Sequence, residues 1–131
     1  AKDNTDVSEV NQLAELLGIQ ITWQGDAPEV MPGSIRKVFI MVAREAIANA
    51  VKHAEAKNIT IGIHKKDEKL LIEISNDGKL PEGKITLGGG LSNIKRMVEE
   101  KRGQFRVEAK EQFRMILEFE LADWRGKWKD I

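Results

Sequence analysis

A chain of 131 residues with 41% hydrophobic content has enough apolar material for one compact domain with a real core, and is too short for two. Lys and Arg number 21, as do Asp and Glu, so a formal charge of zero excludes a broad field directed at nucleic acid or a membrane surface, although local basic patches stay compatible. The absence of cysteine removes disulfide and thiolate chemistry, and two isolated histidines without an HExxH pattern argue against a zinc centre.

No run approaches the roughly 20 apolar residues of a membrane span, and the polar start AKDNTD is not a secretory signal. The domain is therefore expected to be soluble, with no nucleic-acid partner and no membrane contact of its own. The initial Ala fits both a chain that has lost its initiator Met and a piece of a longer protein.

In chain order, a first helix is expected from Ser8, a plausible N-cap, to Leu17, ending at Gly18. The alternating strand IQITW follows, and Pro28 and Pro32 punctuate a loop. A long helix then spans about Ser34 to Ala56. Ile59, Ile61 and Ile63, and then Leu70, Ile72 and Ile74, alternate with other residues as two strands joined by the turn KKDEK. After a glycine-rich stretch, helical spacing runs from Leu91 to Arg102 and is expected to stop at Gly103. Phe105, Val107 and Ala109, then Phe113, Met115, Leu117, Phe119 and Leu121, mark two more strands. Alternation implies one covered face, so the expected fold is an α/β, α+β two-layer sandwich, with a mixed, mostly antiparallel sheet backed by about three helices.

The long helix carries the sharpest chemical signal. Glu45, Asn49, Lys52 and His53 fall on one stripe of roughly 100° if every residue advances about 100°. Val38, Met41, Val42, Ala46, Ile47, Ala50 and Val51 take the other faces. Burying a carboxylate, a carboxamide and a cation together is costly unless something binds them, so the stripe is expected to face a cleft; a solvated strip is the plainer alternative. The second signal is SNDGKLPEGKITLGGGLSN, Ser75 to Asn93, which follows a strand and feeds a helix. Backbone amides at a glycine-rich helix entrance suit phosphate, although three successive glycines also serve as a connector. Within it, GKLPEGK mimics the start of a P-loop, but Ile85 stands where a Ser or Thr hydroxyl is required.

Taken together, these segments resemble the ATP-binding catalytic domain of bacterial sensor histidine kinases, within the wider gyrase, Hsp90, histidine kinase and MutL ATPases. REAIANAVKHA is similar to the family's N box, SNDG to its first glycine box and GGGLSNIKRMVE to its second, and the likeness covers about Ser8 to Leu121. The resemblance implies a Bergerat-type ATP-binding fold over residues 1–121, with 122–131 as a tail or short helix. It implies Mg2+ coordination by Asn49, and by Glu45 through a water, with Glu45 also as the catalytic residue that orients the attacking group. Lys52 would neutralise phosphate, and His53 would sit near the sugar or phosphates. Lys52 as a surface lysine and His53 as an edge histidine remain open. The amides of Gly88, Gly89, Gly90 and Leu91 would cradle the triphosphate; Lys95 and Arg96 would assist or simply face solvent.

One departure concerns the base. The family places an Asp two residues before the glycine of the first box to accept from the adenine amino group, whereas Asn76 stands there and Asp77 follows. Either Asn76 accepts in its place or a one-residue shift brings in Asp77, with Gly78 completing the turn. The resemblance further implies cofactors ATP and Mg2+, autophosphorylation of a histidine on a separate dimerisation domain, a response regulator partner, and a cytoplasmic location, either free or as the cytoplasmic part of a membrane-bound sensor. Neither His53 nor His64 is expected to be the phosphoacceptor. The segment from Lys79 to Leu87 is expected to act as a lid. The rival readings are a stand-alone serine kinase of the same fold and a nucleotide-sensing module without transfer chemistry. Trp124 and Trp128, four residues apart in a basic tail, suit a short amphipathic helix packing on this domain or a partner.

Overall fold

Ile59, Ile61, Ile63, Leu70, Ile72 and Ile74 are all buried, as their alternation requires of strands with one covered face. The computed structural model describes residues 7–81 and 90–121. Its strands are β1 (Gln20–Gly25), β2 (Asn58–Lys66), β3 (Lys69–Asn76), β4 (Gly103–Ala109) and β5 (Phe113–Glu120). They form one sheet in the order β1-β2-β3-β5-β4, with β1 parallel to β2 and every other neighbour antiparallel. Helices α1 (Ser8–Leu16), α2 (Gly33–Asn49) and α3 (Gly90–Glu100) supply the second layer. The two-layer α+β architecture is the expected one. None of the described helices is long and apolar enough to cross a membrane.

The core lies between the inward side chains of the sheet and the apolar side of α2. Ile35, Phe39, Val42, Ala43 and Ile47 of α2 are fully buried with Ile61, Ile63, Ile72 and Leu117 of the strands. Ile94 and Val98 of α3, and Val10 and Ala14 of α1, extend this layer to either side. Burying an aromatic such as Phe39 is worth several kcal/mol, so truncating it to Ala costs about 3–5 kcal/mol. Thr60, Glu73, Ser75 and Arg114 occupy the opposite, wetter side of the strands, where Arg114 and Glu73 pair at 3.5 Å.

Several local expectations are corrected. Ser8 is the first residue of α1 and not its N-cap; Val7 holds that place in a near-helical conformation without a side-chain cap. Helix α2 does not continue regularly to Ala56: it is α-helical to Asn49, widens into a π turn over Ala50–Ala54, and stops at Glu55, which adopts a left-handed φ of 51°. A left-handed non-glycine residue costs roughly 1–2 kcal/mol, offset here by the bond from Ala56 N–H to the Ala50 carbonyl at 3.0 Å. Met41 and Val51, read as apolar-face residues, are 50% and 36% exposed. The KKDEK turn tightens to Asp67 and Glu68, because Lys66 and Lys69 already pair across β2 and β3.

Gly103 has a different reason from the one its position suggested. Arg102 takes the left-handed conformation that ends α3, at φ 61°. Gly103 opens β4, and a Cβ there would lie 2.5 Å from the Phe119 ring and 2.9 Å from Val98. It is a glycine because Phe119 and Val98 need the space.

Candidate active site

Glu45 and Asn49 stand one turn apart near the end of α2, both half-buried. Among the described residues neither side chain has a hydrogen-bond or ion-pair partner. Two oxygen-bearing groups thus sit on a mostly apolar helix with their bonding capacity unspent. Lys52 and His53 are exposed and lie on the π turn, where the advance per residue is smaller than in an α-helix, so the stripe does not continue at 100°. The expected stripe divides into a half-buried acid and amide and an exposed basic pair.

Each glycine motif that is described touches this helix. Gly90, the first residue of α3, packs directly on Glu45: a Cβ at that position would overlap the Glu45 carboxylate and lie 3.2 Å from its Cγ. Leu91 follows, half-buried, at the start of α3. Gly88 and Gly89, residues 82–87 of the expected lid and the tail 122–131 lie outside the described residues. At the far end of the π turn, Gly78 adopts φ 92° and abuts the Ala54 carbonyl, with Ala56 Cα at 3.1 Å from where a Cβ would stand. Lys79 N–H donates to the same carbonyl at 2.8 Å, and the Lys79 ammonium pairs with Glu55 at 2.8 Å. That hydrogen-bonded ammonium holds the Glu55 carboxyl below the usual carboxylate range.

The two candidates for the base contact differ sharply. Asp77 Oδ1 accepts from the backbone N–H groups of Lys57 and Asn58 at 2.9 and 3.0 Å, and Oδ2 accepts from Asn58 Nδ2 at 2.8 Å. The Asn58 amide, then the Asn58 and Lys57 backbone donors, hold the Asp77 carboxyl below its ordinary value despite some desolvation. Its own N–H donates to the Asn58 carbonyl at 3.1 Å, closing a reciprocal clamp at the entrance to β2. Asn76 is 8% exposed, the buried polar residue among those described, and its Nδ2 donates to the Asp77 carbonyl at 2.6 Å. With the donor end so fixed, the amide presents its oxygen elsewhere as an acceptor.

Lys95 and Arg96 engage their own helix, Lys95 pairing with Glu99 at 3.4 Å and Arg96 donating to Asn93. His64 is exposed on β2, with its ring folded against Gly62 and Gly25 of the wet side of the sheet. Sequence reasoning missed the clamp formed by Lys57 and Asn58. Its one outward sign is an Asn opening an alternating strand, which is too common to single out. Among the described residues no group of three or more His, Cys, Asp or Glu could enclose a metal ion.

Residues 35–123 match the family described as histidine kinase-, DNA gyrase B- and HSP90-like ATPase. The sensor histidine kinase LnrJ of Bacillus subtilis is 33% identical over 104 residues, covering 77% of this chain and 25% of LnrJ. The sensor histidine kinase DesK of the same organism is 26% identical over 102 residues, covering 76% of the chain and 28% of DesK. The chain thus spans about a quarter of the length of these relatives. Among solved structures, the catalytic domain of histidine kinase ThkA superposes with a TM-score of 0.67 at 19% identity, over 87% of both chains. The blue-light activated histidine kinase of Erythrobacter litoralis gives 0.69 at 15% identity, over 89% of this chain and 41% of that one. At such identities these structures speak for the fold, and the family match and LnrJ for kinship. The chain belongs to the histidine kinase-, DNA gyrase B- and HSP90-like ATPases, as an ATP-binding catalytic domain of the histidine kinase type.

Proposed function

We propose that this domain binds Mg-ATP in the cleft beside α2 and supplies the γ-phosphoryl group to a histidine on a separate dimerisation domain. The carrying observation is that both described glycine motifs meet the same stretch of helix, Gly90 on Glu45 and Gly78 on Ala54, while Glu45 and Asn49 keep unspent oxygens between them. A nucleotide laid along that stretch has its base near Asn76 and its phosphates near Gly90.

The donor set suits Mg2+, a hard ion that needs only one or two protein oxygens when phosphate and water complete its shell. Asn49 would hold it directly and Glu45 through a water. When bound, the ion neutralises charge on the phosphate oxygens. Lys52, exposed at the π turn, reaches toward phosphate, and His53 toward sugar or phosphate. The amides of Gly90 and Leu91 open α3, where the helix N-terminus favours anions; Gly88 and Gly89 extend this cradle on the strength of the sequence resemblance. Asn76 Oδ1 accepts from the adenine amino group, and Asp77 acts as its brace. Phosphoryl transfer asks for little covalent help from protein, so positioning and electrostatics carry the catalysis.

The phosphoacceptor domain, a response regulator downstream and a cytoplasmic setting complete this reading. Labelled ATP, Mg2+ and a supplied phosphoacceptor hairpin test it: acid-labile phosphohistidine on the hairpin is expected. Nucleotide binding unaffected by Mg2+, with no transfer, would leave a nucleotide-sensing module instead.

A further inference from the structure

The side of the sheet away from the helices holds a cavity of its own, about 280 Å³ in volume. Gly62, buried in the middle of β2, opens its floor by lacking a side chain. Thr60 and His64 flank Gly62 on the same side, Glu73 stands directly opposite on β3, and a Cβ at Gly62 would lie 3.0 Å from His64 Nε2. Thr60 pairs across to Ser75, and Ser75 to Arg114 of β5, so two hydroxyls and a guanidinium form one wall. Arg114 and Glu73 pair loosely at 3.5 Å, with side chains 42% and 35% exposed. A contact that long leaves most of the five guanidinium donors and most of the carboxylate lone pairs unspent. Gln24, His64 and Gln112 complete the rim. Among the described residues, neither these three nor Thr60 and Ser75 have a side-chain hydrogen bond or ion pair.

We propose that this cavity binds a free α-amino acid, its carboxylate against Arg114 and its ammonium against Glu73. Clefts for drug-sized ligands measure about 300–1,000 Å³, so this one admits something smaller. The charge pair then selects among small molecules. A lone anion drawn to Arg114 meets repulsion from Glu73, and a lone cation drawn to Glu73 meets it from Arg114, whereas a zwitterion laid antiparallel beside the pair satisfies both. Ammonium and carboxylate carried on one carbon are close enough together to answer two charges 3.5 Å apart. The Thr60 and Ser75 hydroxyls add donors for the carboxylate, and the Gln24 and Gln112 amides and the His64 imidazole offer donors and acceptors to a polar side chain. The cavity opens on the side of the sheet opposite α2, so it does not depend on the nucleotide reading.

An NMR titration of the full chain, labelled with nitrogen-15 and free of nucleotide, tests this with L-glutamine as the probe. A ligand of about ten non-hydrogen atoms at a half-open site should bind with a dissociation constant of about 1–10 mM, so the titration runs to about 50 mM. Saturable shifts are expected at the backbone amides of Thr60, Gly62, Glu73 and Ser75. Acetate, methylammonium and glucose, which each lack at least one of the two charges, are expected to leave those amides in place at the same concentration. Arg114→Gln and Glu73→Gln should each weaken glutamine binding at least about tenfold. Both side chains are half-exposed, so thermal melting should barely move in either variant. Shifts that never saturate, equal shifts from acetate, methylammonium or glucose, or unchanged affinity in either folded variant would each overturn the inference.

Discussion

Around the turn after β3, Asp77 is clamped to Lys57 and Asn58, Lys79 to the Ala54 carbonyl, and Asn76 to Asp77. On α2 itself, Glu45 and Asn49 have no partner among the described residues, and Gly90 simply makes room for the Glu45 carboxylate. In the proposed nucleotide reading, the base end is thus finished by the chain's own backbone, while the phosphate end is left for a charged ligand to complete. A rigid base end selects by shape and by a fixed acceptor, at little cost in ordering when the nucleotide arrives. An open phosphate end puts strong charge-assisted bonds where the ligand changes during the reaction.

The largest expected effect breaks the open end. Asn49→Ala should lower phosphotransfer to a supplied hairpin by about 100-fold or more, and calorimetry should show the Mg2+ dependence of ATP binding lost while thermal melting barely moves. Gly90→Ala should follow, because the new Cβ displaces the Glu45 carboxylate; we expect nucleotide affinity to fall about tenfold while thermal melting changes little, since the flexible end of Glu45 is what must move. Equal affinity for parent and variant would detach Glu45 from the phosphate end.

The finished end should respond differently. Asn76→Ala should cost about 1–2 kcal/mol of ATP binding and erode preference for ATP over GTP, with the fold intact. Asp77→Ala should instead cost about 1 kcal/mol of folding stability and affect nucleotide mainly through that loss. The Asp77 carboxyl is held below its ordinary value in the folded state, so its contribution is full above the ordinary, unfolded value and disappears as pH falls through the lower folded one. The stability gap between parent and Asp77→Ala, measured by urea unfolding, should therefore be constant near neutrality and close as pH drops below about 4. Lys79→Ala removes a pair between two exposed side chains and should leave melting within experimental error, the smallest effect of the series.

Much of the fold was legible in period alone. Alternating isoleucines marked β2 and β3, and the apolar side of α2 announced a buried helix, because those patterns follow directly from strand and helix geometry. The candidate site was legible as far as residue types: Glu45 and Asn49 share the end of α2, Gly90 packs on Glu45, and Asn76 is buried just before the Gly78 turn that meets Ala54. What stayed hidden depends on contacts between segments distant in sequence. The π turn arises where Ala54 must meet Gly78 and Lys79, more than twenty residues away, so no window on VKHA reveals it. Asp77 looked like a rival for the base because its clamp on Asn58 exists only after β2 and β3 pair. Gly103 looked like a helix stop because the Phe119 ring that excludes a side chain there comes from another strand.

The contact between Gly78 and Ala54 also has a genetic consequence. Every single-base change of a glycine codon that alters the amino acid and does not terminate the chain introduces a residue with a Cβ. At φ 92°, against the Ala54 carbonyl, none of those replacements is accommodated without moving the turn that carries Asn76. Position 78 therefore has no neutral amino-acid replacement one mutation away, and a saturating library selected for nucleotide binding should return that codon changed only at its third base.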